Sequence, residues 1–282
     1  MDCTRHSYGP DPSQYAELYV PARRRYGAVV VLIHGGYWRA AYGAELARPL
    51  AADLAGRGWI CWNVEYRRAG NGGGWPETFD DVASGVDQLA ITAQRLGFAA
   101  DHAVGLGHSA GGQLAVWAAG RGRVPAGGPG RRVPGTAPRV EFGAVLSQSG
   151  VLDLARAHDL GLSGGAVENL LGRRREVEAA EAPSSQGMAA GATGAESGGP
   201  GGSDPYRLAD PMWNLPLPVP VYAFHAEQDV DVPRELSERY VAAAQAAGGE
   251  AELIIVPGDH FDLIDPATEA FARVREVLVR LG

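Results

Sequence analysis

Short, continuous runs of apolar residues recur along the chain, each bounded by glycine or proline. Within a run the apolar residues do not alternate with polar ones. This pattern is typical of strands that are buried on both faces, as in a mainly parallel sheet. The predicted strands are residues 28–33, 59–64, 103–106, 142–146, 219–224 and 253–256.

Between these runs the apolar positions follow a helical period. Over residues 79–96 they recur at three- and four-residue steps, which predicts a helix from about Pro76 to Gly97. Near the C-terminus, Asp265 and Pro266 are expected to be the N-cap and first residue of the last helix. Alternating strands and helices predict an α/β fold with an open, doubly wound, mostly parallel central sheet flanked by helices.

Two segments depart from this alternation. Residues 121–139 are rich in glycine, proline and arginine and are expected to form an exposed loop insertion. Residues 151–215 lie between two predicted strands, where a lid or cap could be inserted. Within them, residues 187–204 are nearly all small, so we expect this stretch to be mobile. The remaining pattern fits a single domain over residues 1–282.

Composition narrows the range of partners. The chain carries 25 arginines and no lysine against 33 aspartates and glutamates, and its net charge of −8 argues against a nucleic-acid partner. No apolar run approaches the roughly 20 residues of a membrane span, and the N-terminus lacks a signal-peptide layout, so we expect a cytoplasmic protein with no membrane attachment. No histidine pair is spaced like zinc ligands, so neither a metal nor a cofactor is expected. The sequence does not decide whether the protein forms a homodimer.

The pattern G-x-S-x-G occurs twice, around Ser109 and around Ser163. The Ser109 match follows a predicted strand and precedes a predicted helix, which is the context of a nucleophile elbow. No strand precedes the Ser163 match, which we interpret as a coincidence in a loop. Ser109 is therefore the candidate nucleophile, and a serine hydroxyl needs both a base and a group that orients the base.

His260 and Asp229 are the candidates for those two roles. Each follows one of the last two predicted strands, and the chain order serine, aspartate, histidine is the one expected for a nucleophile elbow on such a sheet. Glu227 and Asp231 compete with Asp229, and spacing alone does not decide between them. We favour Asp229 because it comes first after a turn-like segment.

The first predicted strand is followed by His-Gly-Gly-Tyr-Trp. Gly35 and Gly36 carry no Cβ, so the main chain of this loop can come close to a substrate. The loop, including Tyr37, and the N–H group of Ala110 after the nucleophile are predicted to form an oxyanion hole.

Tyr37, Trp38 and His108 are the candidates for substrate contact. The two aromatic residues could form a wall of the pocket or pack beneath the loop, and the sequence does not decide. His108 occupies the variable place of the elbow and, like His102 and His225, is interpreted as structural rather than catalytic.

These motifs resemble those of the α/β-hydrolase superfamily, and within it the kynurenine formamidase (arylformamidase) and related carboxylesterase group. The resemblance rests on residues 34–38, residues 107–112 and the contexts of Asp229 and His260, and it extends over most of the chain apart from residues 121–139 and 187–204. Esterases resembling hormone-sensitive lipase usually carry a third glycine where this chain has tyrosine, which favours the formamidase side.

The resemblance implies a serine hydrolase in which Ser109 is the nucleophile, Asp229 the acid and His260 the base. Its substrate would be a small ester or amide, with a formamide of the N-formylkynurenine type as the first expectation. A short-chain carboxylesterase is the alternative. A non-catalytic binding protein with the same fold is less favoured, because such proteins often lack one member of the triad and this chain has candidates for all three.

Overall fold

The computed structural model describes residues 2–131, 137–172 and 204–282. Within them, eight strands form one sheet in the order β1-β2-β4-β3-β5-β6-β7-β8. Strands β3 to β8 pair in parallel, whereas β1 and β2 join the β4 edge in antiparallel fashion. The strands are β1 Asp2–Ser7, β2 Tyr15–Val20, β3 Val29–Ile33, β4 Ile60–Val64, β5 Ala103–His108, β6 Phe142–Gln148, β7 Val221–Ala226 and β8 Ala251–Val256.

Helices cover both faces of the sheet. Side chains of α2, α3 and α7 pack in one apolar core, and those of α1 and α8 pack in the other. The strand β3 shows why the apolar runs do not alternate: Val29, Val31 and Ile33 belong to the first core, whereas Val30 and Leu32 belong to the second. The helices are α1 Arg48–Arg57, α2 Glu77–Leu96, α3 Ala110–Gly120, α4 Leu154–Asp159, α5 Ala166–Leu171, α6 Pro205–Ala209, α7 Glu235–Ala246 and α8 Glu269–Leu281.

The α/β-hydrolase fold expected from the motifs is confirmed, and so are the six predicted strands and the helix α2. The predicted start of the last helix is wrong. Thr268 caps α8 by accepting a hydrogen bond from the N–H of Phe271, whereas Asp265 accepts one from the N–H of Ala267 within the preceding turn. Pro266 therefore precedes the helix.

The segment over residues 121–139 is not a wholly exposed insertion. Arg121 is fully buried and donates hydrogen bonds to the Asp87 carboxylate and the Val140 carbonyl, which anchors the start of the segment to the domain. Residues 132–136 lie outside the described part of the chain, as do residues 187–203, so the expected mobility of the glycine-rich stretch stays a prediction. No helix in the described ranges is long and apolar enough to span a membrane.

Candidate active site

Ser109 lies in the turn between β5 and α3, with φ 55° and ψ −121°. A non-glycine residue with this positive φ is strained, and such strain persists only where the surrounding structure holds it. The N–H of Ser109 donates to the carbonyl of Gln148 at 2.8 Å, and its carbonyl accepts from the N–H of Gly112 at 2.9 Å. The main chain thus fixes Ser109 at the carboxyl end of β5, where α3 begins.

The glycines that flank Ser109 are required by close packing. A Cβ at Gly107 would lie 2.1 Å from the carbonyl oxygen of Gly111, and one at Gly111 would lie 2.0 Å from that of Ile33. The elbow therefore presses directly against the end of β3. The second match, around Ser163, lies in the turn between α4 and α5 with no strand before it.

His260 and Asp229 form a buried pair. The Nδ1 atom of His260 lies 2.7 Å from Oδ2 of Asp229. The other carboxylate oxygen of Asp229 accepts from the N–H groups of Asp231 and Val232 at 2.9 and 2.8 Å. Although burial raises the pKa of Asp229, its hydrogen bond with His260 and the charge of that ring lower it to about 2.

The two competing acids do not contact the imidazole of His260. Glu227 is exposed, and its main-chain N–H donates a hydrogen bond to the carbonyl of Val256. Asp231 contributes a main-chain N–H to Asp229 rather than a carboxylate to His260. Of the three candidates, the geometry selects Asp229.

Ser109 makes no hydrogen bond to His260, although the residue before it contacts that histidine. The hydroxyl of Ser109 is buried and has no hydrogen-bond partner among the described residues. The ring of His108, the preceding residue, lies 4.4 Å from that of His260, centroid to centroid. Because Nδ1 of His260 is held by Asp229, its Nε2 atom is left for the serine. In ligand-free structures such catalytic hydrogen bonds are often long and shorten when substrate binds.

The glycine loop after β3 packs on the elbow. A Cβ at Gly35 would lie 2.8 Å from the carbonyl oxygen of His108 and 3.0 Å from Cβ of Ser109. Gly36 has φ 105°, a value that favours glycine, and Tyr37 follows with φ 51°. The main chain of this loop therefore lies beside the candidate nucleophile, as a hole for an oxyanion would require, and Ala110 directly follows Ser109 at the start of α3.

His34 orients this loop, a role that the sequence did not reveal. Its Nδ1 atom lies 2.8 Å from the carbonyl oxygen of Gly35, which can only accept, so Nδ1 carries the proton. Burial lowers the pKa of His34 to about 3, well below the usual value of an imidazole. The bond fixes the Gly35–Gly36 peptide, and because the N–H of a trans peptide points opposite to its C=O, it also fixes the N–H of Gly36.

Two of the three predicted substrate contacts are wrong. Trp38 is fully buried, and its indole N–H donates to Oε1 of Gln113 at 3.2 Å, so it packs beneath the loop. His108 is only 6 % exposed, and its ring contacts His260 instead of open space. Tyr37 is partly exposed, and its hydroxyl donates to the carbonyl of Asp231 at 2.7 Å.

Two further residues near the His260–Asp229 pair were not predicted from the sequence. Ser149, directly after β6, has φ 46°, and its hydroxyl hydrogen-bonds Asp229 and helps to lower the pKa of that carboxyl. Phe261 is 57 % exposed, and its ring meets that of His260 edge-on at 5.3 Å. The signal for Ser149 was its place at a strand end, the position shared by the other site residues.

Comparisons with known proteins agree with this architecture. The sequence model of the BD-FAE family matches residues 16–186, more than half of the chain. Esterase LipC of Mycobacterium tuberculosis (strain ATCC 25618 / H37Rv) is 27% identical over 115 residues, which are 39% of this chain but only 28% of that esterase.

Solved structures of esterases share the fold over nearly the whole chain. A truncated carbohydrate esterase from gut microbiota superposes with a TM-score of 0.76 at 20% identity, covering 99% of this chain and 95% of that one. Esterase B from Lactobacillus rhamnosis gives 0.74 at 19% identity, with 99% and 84% covered. The native esterase 2 of Thermogutta terrifontis gives 0.68 at 21% identity, with 99% and 92% covered. These solved structures share the α/β-hydrolase fold, and the chain belongs to the BD-FAE family.

Proposed function

We propose that the protein is a serine hydrolase that cleaves small esters through an acyl-enzyme intermediate, with Ser109 as nucleophile, His260 as base and Asp229 as the acid that orients it. The observation that carries the proposal is the strained Ser109 at the end of β5, beside a buried His260–Asp229 pair. The esterase relatives, the match to the BD-FAE family and the fold support the same reading.

The mechanism assigns one task to each group. Nε2 of His260 removes the proton of the Ser109 hydroxyl as its oxygen attacks the carbonyl carbon of the substrate. Asp229 holds the ring through Nδ1 and stabilises the imidazolium that forms. The N–H groups of Gly36 or Tyr37 and of Ala110 stabilise the oxyanion. His260 then gives the proton to the leaving group, and a water molecule releases the acyl group by the same steps.

The first test removes the nucleophile. The Ser109→Ala variant is expected to lose both the p-nitrophenol burst and steady-state turnover with p-nitrophenyl acetate, because no acyl-enzyme can form. Stopped-flow absorbance measures both. The control variant is Ser163→Ala, which changes the serine of the second G-x-S-x-G pattern and should behave like the wild type. A normal burst from Ser109→Ala would contradict the assignment.

A narrower proposal concerns the substrate. Tyr37 is partly exposed beside the site and Phe261 is exposed next to His260, so an aryl group on the substrate would meet aromatic surface. This favours an aryl formamide of the N-formylkynurenine type. The esterase relatives favour a short-chain carboxylic ester instead.

The two substrate classes are separated by kcat/KM for N-formylkynurenine and for p-nitrophenyl acetate, measured on the same enzyme. The formamidase proposal predicts the larger value for N-formylkynurenine. A Phe261→Ala variant should lower kcat/KM more for the aryl formamide than for ethyl acetate, which has no ring to stack. A much larger kcat/KM for the acetate esters would contradict the formamidase proposal and support the carboxylesterase alternative.

A further inference from the structure

His108 is buried at the carboxyl end of β5, and the mechanism above gives it no role. Its Nε2 atom lies 2.9 Å from the main-chain carbonyl oxygen of His260, 152 residues away in sequence. A carbonyl oxygen can only accept a hydrogen bond, so Nε2 of His108 carries the proton and donates it. The residue beside the nucleophile is thus bonded to the backbone of the base.

The opposite side of the ring faces the glycine loop. A Cβ at Gly35 would lie 3.1 Å from Nδ1 of His108, so the imidazole fills the space between this loop and the loop that carries His260. Burial, together with the nearby ring of His260, lowers the pKa of His108 to about 3. The ring is therefore neutral and has a single N–H, which donates a hydrogen bond to the main-chain carbonyl of His260.

Other contacts hold the β8–α8 loop at points away from the base. The N–H of Gln228 donates to the carbonyl of Gly258 at 3.0 Å, and the side-chain amide of Gln148 donates to that of Leu263 at 2.5 Å. Within the described residues, the bond from His108 is the one that reaches the main chain of His260 from another element.

We propose that His108 is a positioning residue, which holds the main chain of His260 so that its imidazole faces Ser109. This inference rests on the proposed function and deepens it. Because His108 immediately precedes Ser109, one rigid strand end sets the positions of both nucleophile and base. Small displacements of a catalytic group, on the order of 1 Å, can cost about 100-fold in rate.

Three variants of His108 test the donated N–H. Glutamine places an amide N–H near the position of Nε2, asparagine is too short to reach the carbonyl of His260, and leucine has no donor. With p-nitrophenyl acetate we expect kcat to fall about 10- to 100-fold in His108→Leu and His108→Asn, and KM to stay within about threefold, because His108 does not touch substrate. His108→Gln should recover kcat to within about threefold of the wild type.

A buried variant at a distance controls for general destabilisation. Val104→Ala changes the same strand and the same face four residues earlier, about 13 Å away at the usual rise of a strand. It should lower the melting temperature without lowering kcat. The asparagine variant keeps the test valid if the leucine variant does not fold, and circular dichroism checks the fold of each protein.

The outcomes separate the two proposals. Equal kcat in all three His108 variants and the wild type, or a glutamine variant as slow as the leucine variant, would overturn the positioning role. A rise of KM at unchanged kcat would also overturn it, since it would make His108 a substrate contact. Ser109→Ala is measured in parallel: if it stays active, the proposed function fails whatever the His108 variants do.

Discussion

Tyr37 joins two loops that both contribute to the site. Its hydroxyl donates to the carbonyl of Asp231 at 2.7 Å, which links the glycine loop after β3 to the loop that carries Asp229. Burial, and the charges of Asp231 and Asp229, raise the pKa of Tyr37 to about 12, so the hydroxyl keeps its proton and remains a donor. The sequence predicted a position for Tyr37 but not this contact, because its partner lies 194 residues away.

Removing this hydroxyl should loosen both loops. A hydrogen bond of this kind contributes about 1 kcal/mol net, so Tyr37→Phe is expected to lower kcat/KM about fivefold and to lower the melting temperature slightly. Steady-state kinetics with p-nitrophenyl acetate measures the first effect. Tyr42→Phe is the matched control, since the Tyr42 side chain is 45 % exposed. Equal kcat/KM for Tyr37→Phe and Tyr42→Phe would show that the hydrogen bond from Tyr37 to Asp231 does not contribute to catalysis.

The carboxyl of Asp229 gives stability a defined pH dependence. Its pKa is lowered from 3.8 to about 2 in the folded protein, so the folded state favours the ionised form. The contribution is fully present above about pH 4 and is lost as the pH falls toward 2. The free energy of unfolding should therefore drop more steeply between pH 5 and pH 2.5 in the wild type than in Asp229→Asn. Urea denaturation across this range compares them, and parallel curves would contradict the assigned shift.

At the scale of elements, the strands were predictable where both faces are buried. Runs such as β3 and β5 are apolar throughout because each face of the sheet carries a core. The strand β1 was missed because it is polar and almost wholly exposed at the edge of the sheet. The strand β2 was missed although it is buried, since it contains Glu17, whose carboxylate pairs with Arg48 and accepts a hydrogen bond from Asn63, both from distant segments.

The glycines of the elbow make a prediction about packing. At Gly111 a Cβ would lie 2.0 Å from the carbonyl oxygen of Ile33, so Gly111→Ala must push α3 away from β3 and should destabilise the fold by about 3 kcal/mol. Gly56 is the control: it lies inside α1, and a Cβ there meets nothing within 4 Å. Gly56→Ala should stabilise by about 0.5–1 kcal/mol. Equal unfolding free energies for the two variants would contradict the packing of the elbow.

Across the whole molecule, the site residues share one edge of the sheet. Gly35, Ser109, Ser149, Asp229 and His260 follow five different parallel strands, so their carboxyl ends bring together residues from most of the chain. This convergence could be predicted, because each motif follows an apolar run. The contacts within the site could not, since side-chain directions such as the burial of Trp38 depend on how α3 packs beneath the loop.

The central claim is that the hydroxyl of Ser109 acts as the catalytic nucleophile at the carboxyl ends of the parallel strands. It is tested most directly by treating the protein with a fluorophosphonate probe and locating the adduct by mass spectrometry of its peptides. The account predicts one probe per chain, attached at Ser109, with no labelling of Ser109→Ala and slow labelling of a His260→Ala variant. Absence of an adduct on the folded wild-type protein, or an adduct on another residue, would contradict it.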